Sequence, residues 1–322
     1  MPTGRASASF ANVATPLAPE PDWVRVRVSG KINLALRVGA VRPSGYHPLA
    51  TVFQSVSLFD EVSVRWDEPG RFSVRVAGEQ AGQVPLDGRN LAIKAAKLLA
   101  DHHGPHRFGA EIVIRKTIPV AGGMAGGSAN AAGALLACSV LWDLDTPPDE
   151  LRGLGARLGA DVPFQLMGGT ALGTGRGDEL VPVLSRGTYH WVLALSEDEL
   201  STPAVFGRFD ELNPDAPDDL PMPTDVMNAL VSGDAVALGG VLVNDLGAAA
   251  ASMRPGLVRV LDFGRELGAL GAIVSGAGPT CAFLAANEAA AVDLSVQLSS
   301  EGLCRAVRRV TGPVPGARLI TS

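Results

Sequence analysis

The chain has 322 residues, 47% hydrophobic and only 19% charged, which is enough to bury a large core, divides naturally into two domains and excludes a disordered or fibrous protein. A formal net charge of -6 with 27 scattered basic residues leaves no basic face for nucleic acid, so the expected partners are small molecules or copies of the chain itself, as in a homodimer. Cys138, Cys281 and Cys304 lie in apolar stretches without a CxxC pair, which implies neither a disulfide framework nor a zinc site and fits a reducing cytosol.

Residues 1–22 are rich in Ala, Ser and Pro, carry a lone Arg5 and lack the apolar core of a secretory signal, so a disordered tail is expected there. From Trp23 the pattern WVRVRVSG then KINLALRV alternates with period two and predicts strand. Strand patterns recur at Leu49–Trp66, Phe72–Ala77 and Ala110–Arg115, with a helical pattern at Asn90–His103 between the last two. A glycine-rich loop then leads into small and apolar residues without proline, which predict a buried helix from about Ser128 to Trp142. A short helix to about Leu158, the segment ADVPFQL and a glycine-spaced strand pair complete a first domain over 23–187. The second domain, 188–322, reads as a strand at Trp191–Leu195, a Pro/Asp-rich loop at Asn213–Pro223, several helices, a hairpin around VSGAGPTCAFLA, a helix at Glu288–Ser299 and a last strand near Cys304–Val310. No 18-residue apolar run escapes charge, Gly or Pro, so a membrane span is not expected and the cytoplasm is.

The loop is the strongest local signal. It comprises Pro119, Val120, Ala121, Gly122, Gly123, Met124, Ala125, Gly126, Gly127, Ser128 and Ala129. Its glycines free successive backbone N–H groups to turn inward as an anion nest, and the following helix adds its positive end, a pairing suited to a di- or triphosphate. Ser128, at the expected N-cap, either caps the helix or meets a phosphate oxygen or metal ion. A tight turn with close helix packing would use the same glycines. The one Gly-Lys pair, Gly30-Lys31, precedes Ile32 and a strand pattern, which excludes a Walker-type loop, and no HRD catalytic loop is present. A dinucleotide fold needs its glycines on the first strand-to-helix turn, whereas this loop follows roughly a hundred residues of sheet and helix.

Three segments together carry a specific resemblance. SGKINLALRV, PVAGGMAGGSANAA and VSGAGPTCAF are similar, in this order, to the three motifs of the GHMP kinases, and the likeness runs from about Val24 to Val310. RPSGYHPLATVFQSVSLFDEV and LGADVPFQLMGGTALGTGRGDEL resemble the branch of that family that acts on a cytidine diphosphate ester of a sugar alcohol. The resemblance implies an α+β fold of two domains, the first like domain 2 of ribosomal protein S5 and the second ferredoxin-like, with the active site in the cleft between them. It also implies ATP as co-substrate with Mg2+, and phosphoryl transfer to the 2-hydroxyl of the sugar alcohol in non-mevalonate isoprenoid synthesis. Other GHMP kinases, of homoserine or mevalonate type, lack the GYHPL segment. A non-catalytic sensor of the same fold would not need both residues named next.

By resemblance, Lys31 and Asp161 are the catalytic pair: Asp161 takes or orients the proton of the acceptor hydroxyl, and Lys31 offsets negative charge. On sequence alone Lys31 could be a surface strand lysine, and Asp161 a turn cap before Pro163. Tyr46, His47 and Phe206 resemble residues that enclose the cytosine, and Asn33 a substrate contact. Asn90 and Lys94 would approach the adenine side, although their i,i+4 spacing also fits a solvated helix face. The loop departs from the family pattern: Ala125 stands where Gly is usual, which is compatible with a negative φ, and Ala129 stands where a second Ser is usual. Metal ligands are not assigned, and Asp178 and Glu179 read as solvated loop charges.

Overall fold

The computed structural model describes residues 23–320, so the expected tail lies outside the described residues. In chain order the first half contains β1 (Val24–Val38), β2 (Leu49–Trp66), β3 (Phe72–Gly78), α1 (Leu91–His103), β4 (Ala110–Lys116), α2 (Gly126–Leu141), α3 (Pro148–Leu158), α4 (Val162–Met167), β5 (Thr170–Thr174) and β6 (Glu179–Pro182). The second half contains β7 (Tyr189–Leu195), α5 (Thr202–Leu212), α6 (Thr224–Ser232), α7 (Ala235–Val241), β8 (Val243–Asn244), α8 (Gly247–Met253), α9 (Gly256–Glu266), β9 (Gly271–Val274), β10 (Cys281–Ala285), α10 (Glu288–Ser300), β11 (Ala306–Gly312) and β12 (Arg318–Leu319).

Two sheets result. The larger runs β12-β1-β2-β4-β3, with β5 on β2, β6 on β5 and β8 on β1. Its long β1–β2 hairpin follows from the period-two pattern, and β3, α1 and β4 form a parallel crossover. Helix α2 packs onto this sheet. Small residues bring it close, because a side chain at Gly133 would meet Val62 Cγ2 at 2.8 Å and Val28 Cγ2 at 3.1 Å. Its Ala129, Ala131, Ala132, Ala134, Leu135, Ala137 and Cys138 are fully buried, and burial pushes the Cys138 thiol far above its usual range.

The second sheet has the order β11-β7-β10-β9 with every neighbour antiparallel, the split β-α-β arrangement of a ferredoxin-like layer. It leans on the first sheet through polar contacts: Trp191 Nε1 donates to Gln54 Oε1 at 3.0 Å, and the Thr311 N–H donates to Ser57 Oγ at 2.8 Å. Gln54 has no exposed surface, so this contact is part of the core.

Most predicted elements form within a residue or two of their expected limits. The last strand does not end the fold, because the chain continues to β12, which pairs with β1 in the other sheet, and β8 also inserts beside β1. Two-residue strands leave no periodicity to read. Segment ADVPFQL folds as α4. The triplet Asp262-Phe263-Gly264 lies inside α9, where Gly264 packs against the buried Phe283 ring rather than forming a metal-binding loop. Among the described residues no helix is long and apolar enough to cross a membrane.

Candidate active site

The site is built around two irregularities in β1. Its register against β2 shifts between Ser29 and Gly30 and again between Asn33 and Ala35, and these bulges flank Lys31 and Asn33. Lys31 is buried, not a surface lysine; its Nζ donates to Asn33 Oδ1 at 2.7 Å and sits 5.6 Å from the centre of the Phe53 ring. Asn33 Nδ2 donates to Thr51 Oγ1 at 2.8 Å, which in turn donates to the Ala35 carbonyl at 2.6 Å, so the amide that receives the cation is itself held. Burial lowers the Lys31 pKa below the usual lysine range, and the Asp161 carboxylate opposes that shift.

The glycine loop lies over this lysine. The Lys31 N–H donates to the Met124 carbonyl at 3.3 Å, and a side chain at Gly30 would meet Met124 Cε at 3.2 Å. The third motif closes the loop from the other domain. Ser275 Oγ donates to the Gly123 carbonyl at 3.0 Å, and a Cβ on Gly123, at φ +74°, would lie 2.0 Å from the Ser275 carbonyl. Gly276, at φ +55°, leaves room for Lys31 Nζ, which would lie 3.1 Å from its Cβ. These glycines are required by close backbone approach.

Two local expectations are corrected. Ala125 adopts φ 59°, in the left-handed region, where the negative φ expected of alanine does not hold; Ala121 does the same at φ 50°. The helix starts earlier than expected, with Ala125 as its N-cap, so Ser128 falls at the third helical position and caps nothing. Its hydroxyl is free to face the cleft, at the end of the helix where backbone N–H groups have no internal partner.

One cleft of about 320 Å³ collects Lys31, Asn33, Phe53, Pro119, Ala121, Gly122, Gly123, Ala125, Gly126, Gly127, Ser128, Asp161 and Phe206. Asp161 precedes α4, but its carboxylate caps no helix N–H. Within the loop, Met124 and Ala129 are fully buried and line no part of the cleft, and Val120 lines an adjoining recess. That recess of about 260 Å³ contains Asn90, Leu91, Lys116, Ala121, Gly127 and Asn130. Asn90 works there as the cap of α1, accepting from the Ala92 N–H at 2.9 Å and donating to the Pro85 carbonyl at 2.7 Å. Lys94 is exposed one turn further on and lines neither space.

Of the three expected cytosine contacts Phe206 lines the cleft and Tyr46 and His47 do not; the His47 and Phe206 rings meet with centroids 4.8 Å apart and planes tilted by 32°, and Phe209 meets the His47 ring edge-on. His47 Nε2 lies 2.7 Å from Asp210 Oδ1, a partner that sequence reading did not single out. Tyr46 is exposed, with the Arg176 guanidinium 5.2 Å from its ring centre. Asp178 is largely covered and pairs with that arginine, so it is not a solvated charge, while Glu179 is exposed as expected and accepts from Thr174 Oγ1 at 3.1 Å. Among the described residues Asp161 is the one carboxylate lining the cleft, with the Ser128 and Thr202 hydroxyls and the Asn33 amide, whose oxygen is taken by Lys31, as its other side-chain oxygens; this thin set fits a magnesium ion that retains waters and phosphate oxygens.

The residue that sequence reading missed is Asp60. Its carboxylate has no exposed surface and accepts from Lys116 Nζ, the Thr117 N–H at 2.7 Å, the Ile118 N–H at 2.9 Å and Asn130 Nδ2 at 2.7 Å. Lys116 Nζ also donates to Asn130 Oδ1 at 3.2 Å and would lie 2.9 Å from a Cβ on Gly126. Both ends of the glycine loop therefore meet at one buried ion pair. A DE pair at the middle of a strand pattern carries no local sign of this.

The models for the N-terminal and C-terminal domains of GHMP kinases match residues 90–169 and 226–303, so the two-sheet fold and its cleft are those of a GHMP kinase, an ATP-dependent phosphotransferase. The chain is 54% identical over 300 residues to the 4-diphosphocytidyl-2-C-methyl-D-erythritol kinase of Mycolicibacterium smegmatis, covering 92% of each chain, and 52% identical over 317 residues to that of Mycobacterium tuberculosis, covering 98% of each. A crystal structure of 4-(cytidine 5'-diphospho)-2C-methyl-D-erythritol kinase superposes with a TM-score of 0.71 at 30% identity, over 89% of this chain and 98% of that one. The homoserine kinase of Cytophaga hutchinsonii shares the fold, with a TM-score of 0.74 at 17% identity over 95% and 100% of the two chains. The chain belongs to the 4-diphosphocytidyl-2-C-methyl-D-erythritol kinase family.

Removing the Asp60 charge leaves Lys116 buried without its counter-ion, a loss typically worth about 3–5 kcal/mol. Asp60→Ala is expected to lower the unfolding free energy measured by urea titration by that amount, with the midpoint falling in proportion. Asp60→Glu, measured alongside, tests how closely the carboxylate must fit its four donors.

Proposed function

We propose that the chain transfers the γ-phosphoryl group of ATP to the 2-hydroxyl of 4-diphosphocytidyl-2-C-methyl-D-erythritol, in the cytoplasm, with ADP and the 2-phosphate as products. The observation that carries this reading is the convergence of the glycine loop, Lys31, Asp161 and Phe206 on one cleft, in a chain whose relatives bear that substrate's name. The loop N–H groups from Gly122 to Gly127 and the start of α2 face the phosphates, with the Ser128 hydroxyl beside them. Asn90, by capping α1, shapes the recess for the adenine. Magnesium carried by the nucleotide would use the Ser128 hydroxyl and the Asp161 carboxylate, and when bound it offsets charge on the phosphate oxygens.

Asp161 orients the acceptor hydroxyl and takes its proton as the oxygen–phosphorus bond forms and the bond to the ADP oxygen breaks. Lys31, held by Asn33 and kept in a low-dielectric setting, places a fixed positive charge beside the transferring group. Its placement over Phe53 and between the two motifs leaves it little freedom to move as charge shifts. Phe206, backed by the His47 ring, offers an apolar face at the cleft for a pyrimidine, and Asp210 fixes the His47 imidazole through its Nε2. Tyr46, with Arg176 behind it, forms the outer wall.

Turnover of the cytidine ester, mevalonate and homoserine measured in parallel by ADP release is expected to favour the cytidine ester strongly; equal turnover of either other alcohol would remove the assigned acceptor. In the same assay Asp161→Asn is expected to lower kcat by about 10²–10⁴, with substrate affinities changed far less. Lys31→Met should also lower kcat, yet leave Tm unchanged or raised, because it removes a cation whose burial is unfavourable. A folded Asp161→Asn enzyme with near-normal kcat would take that residue out of the chemistry. At Gly127 an added Cβ would meet only Leu91 Cδ1, at 3.4 Å, so Gly127→Ala should fold normally and Gly127→Val should fail chiefly in ATP binding, as titration with a fluorescent nucleotide alongside a Tm measurement would read.

A further inference from the structure

The end of α1 opposite Asn90 carries a cluster that phosphoryl transfer does not use. The helix has 13 residues, which separates its two ends by about 20 Å. Its last two residues, His102 and His103, turn their rings edge to face at 4.9 Å between centroids. Glu150, in the first turn of α3, brings its Oε1 against His102 Nε2. One ligand atom from each of the three side chains lies within 4.8 Å of the other two. His103 Nε2 also lies 3.2 Å from the hydroxyl of Thr146, a residue that is itself buried.

A His–Glu contact at a half-exposed position explains only two of these groups and stabilises little. It gives no reason for the second imidazole to converge on the same point. Two imidazole nitrogens and one carboxylate oxygen form a donor set suited to Zn2+ and its transition-metal neighbours rather than to magnesium or calcium, which take oxygen ligands. The His102 and Glu150 side chains are 39% and 37% exposed, so a hydrated ion can reach them and keep a water in the fourth position. Two ligands on tetrahedral zinc sit roughly 3.3 Å apart, given Zn–N distances of about 2.0–2.1 Å, so His102 and Glu150 must part from their present contact to admit the ion while His103 closes in from a separation of at most 4.8 Å. Side-chain rotation at a helix end can supply that movement.

We propose that His102, His103 and Glu150 form a zinc site that staples the end of α1 to the start of α3. Zinc replaces the His102–Glu150 contact with three bonds to one ion, and any proton on either imidazole leaves as the metal binds. Because the site lies a full helix length from Asn90, it acts on stability and not on the transfer step.

The test uses full-length protein without a polyhistidine tag. Equilibrium dialysis against micromolar free ZnCl2 is expected to load one zinc per chain, with MgCl2 giving no such binding. His102→Ala, at the exposed member of the cluster, and Glu150→Gln, at a half-exposed one, are expected to keep the metal-free Tm and should weaken zinc binding by at least tenfold. Zinc should raise the Tm of the wild-type chain by several degrees, since a ligand bound only to the folded state stabilises it, and should leave both variants unmoved. Absence of bound zinc, or equal binding and equal Tm shifts in wild type and variants, would overturn the site.

Discussion

The glycine loop and the helix that follows it rest on one buried ion pair. Asp60 stands in β2 beneath the glycine loop and gathers Lys116, two backbone N–H groups at the end of β4, and Asn130 of α2. Lys116 and Asn130 are the residues on either side of the loop. A charge buried without partners would cost several kcal/mol, so the structure around Asp60 has little freedom to rearrange. The strand, the loop and the helix are thereby locked into one geometry, and Gly126 is left no room for a side chain because Lys116 occupies that space. A loop whose backbone must face phosphate without relaxing benefits from such anchoring, since a preorganised donor does not have to be reoriented when the anion arrives.

The second constraint is the contact between the two sheets. Ser275 and Gly276 of the third motif reach Gly123 and Lys31, so the catalytic lysine proposed here is enclosed by residues more than two hundred positions apart. Asn244 holds that segment in place by donating to the Val274 and Gly276 carbonyls at 2.7 and 2.8 Å, and it sits in the short strand that joins β1. The cleft is therefore a property of the interface, lined by the first sheet and its helices on one side and by Thr202 and Phe206 of α5 and the Gly276–Ala277 segment on the other. Burial of Lys31 and the placement of Asp161 across the cleft follow from this enclosure. The charge on Lys31 is offset by the Asn33 oxygen and by the distant carboxylate, a balance that a surface lysine would not need.

What could be read directly from the residues is the part governed by short-range rules. Period-two alternation marks the β1–β2 hairpin, helical patterns mark α1 and α3, and the glycine loop marks its own position because left-handed or closely approached backbone favours glycine. The motif order identified the family, and with it Lys31, Asp161 and Asn33. Tertiary structure alone decided the rest. Asp60 acquires its role from partners at positions 116, 117, 118 and 130; β8 and β12 exist because β1 has free edges to pair with; and Asp210 meets His47 across 163 residues. Ala125 takes a left-handed φ that its own side chain disfavours by roughly 1–2 kcal/mol, because the turn into α2 is held at both ends by Asp60 and by Ser275. Local propensity is set by a residue and its nearest neighbours, whereas burial, charge pairing and strain are set by whatever the fold brings alongside, and that is where the sequence stops being sufficient.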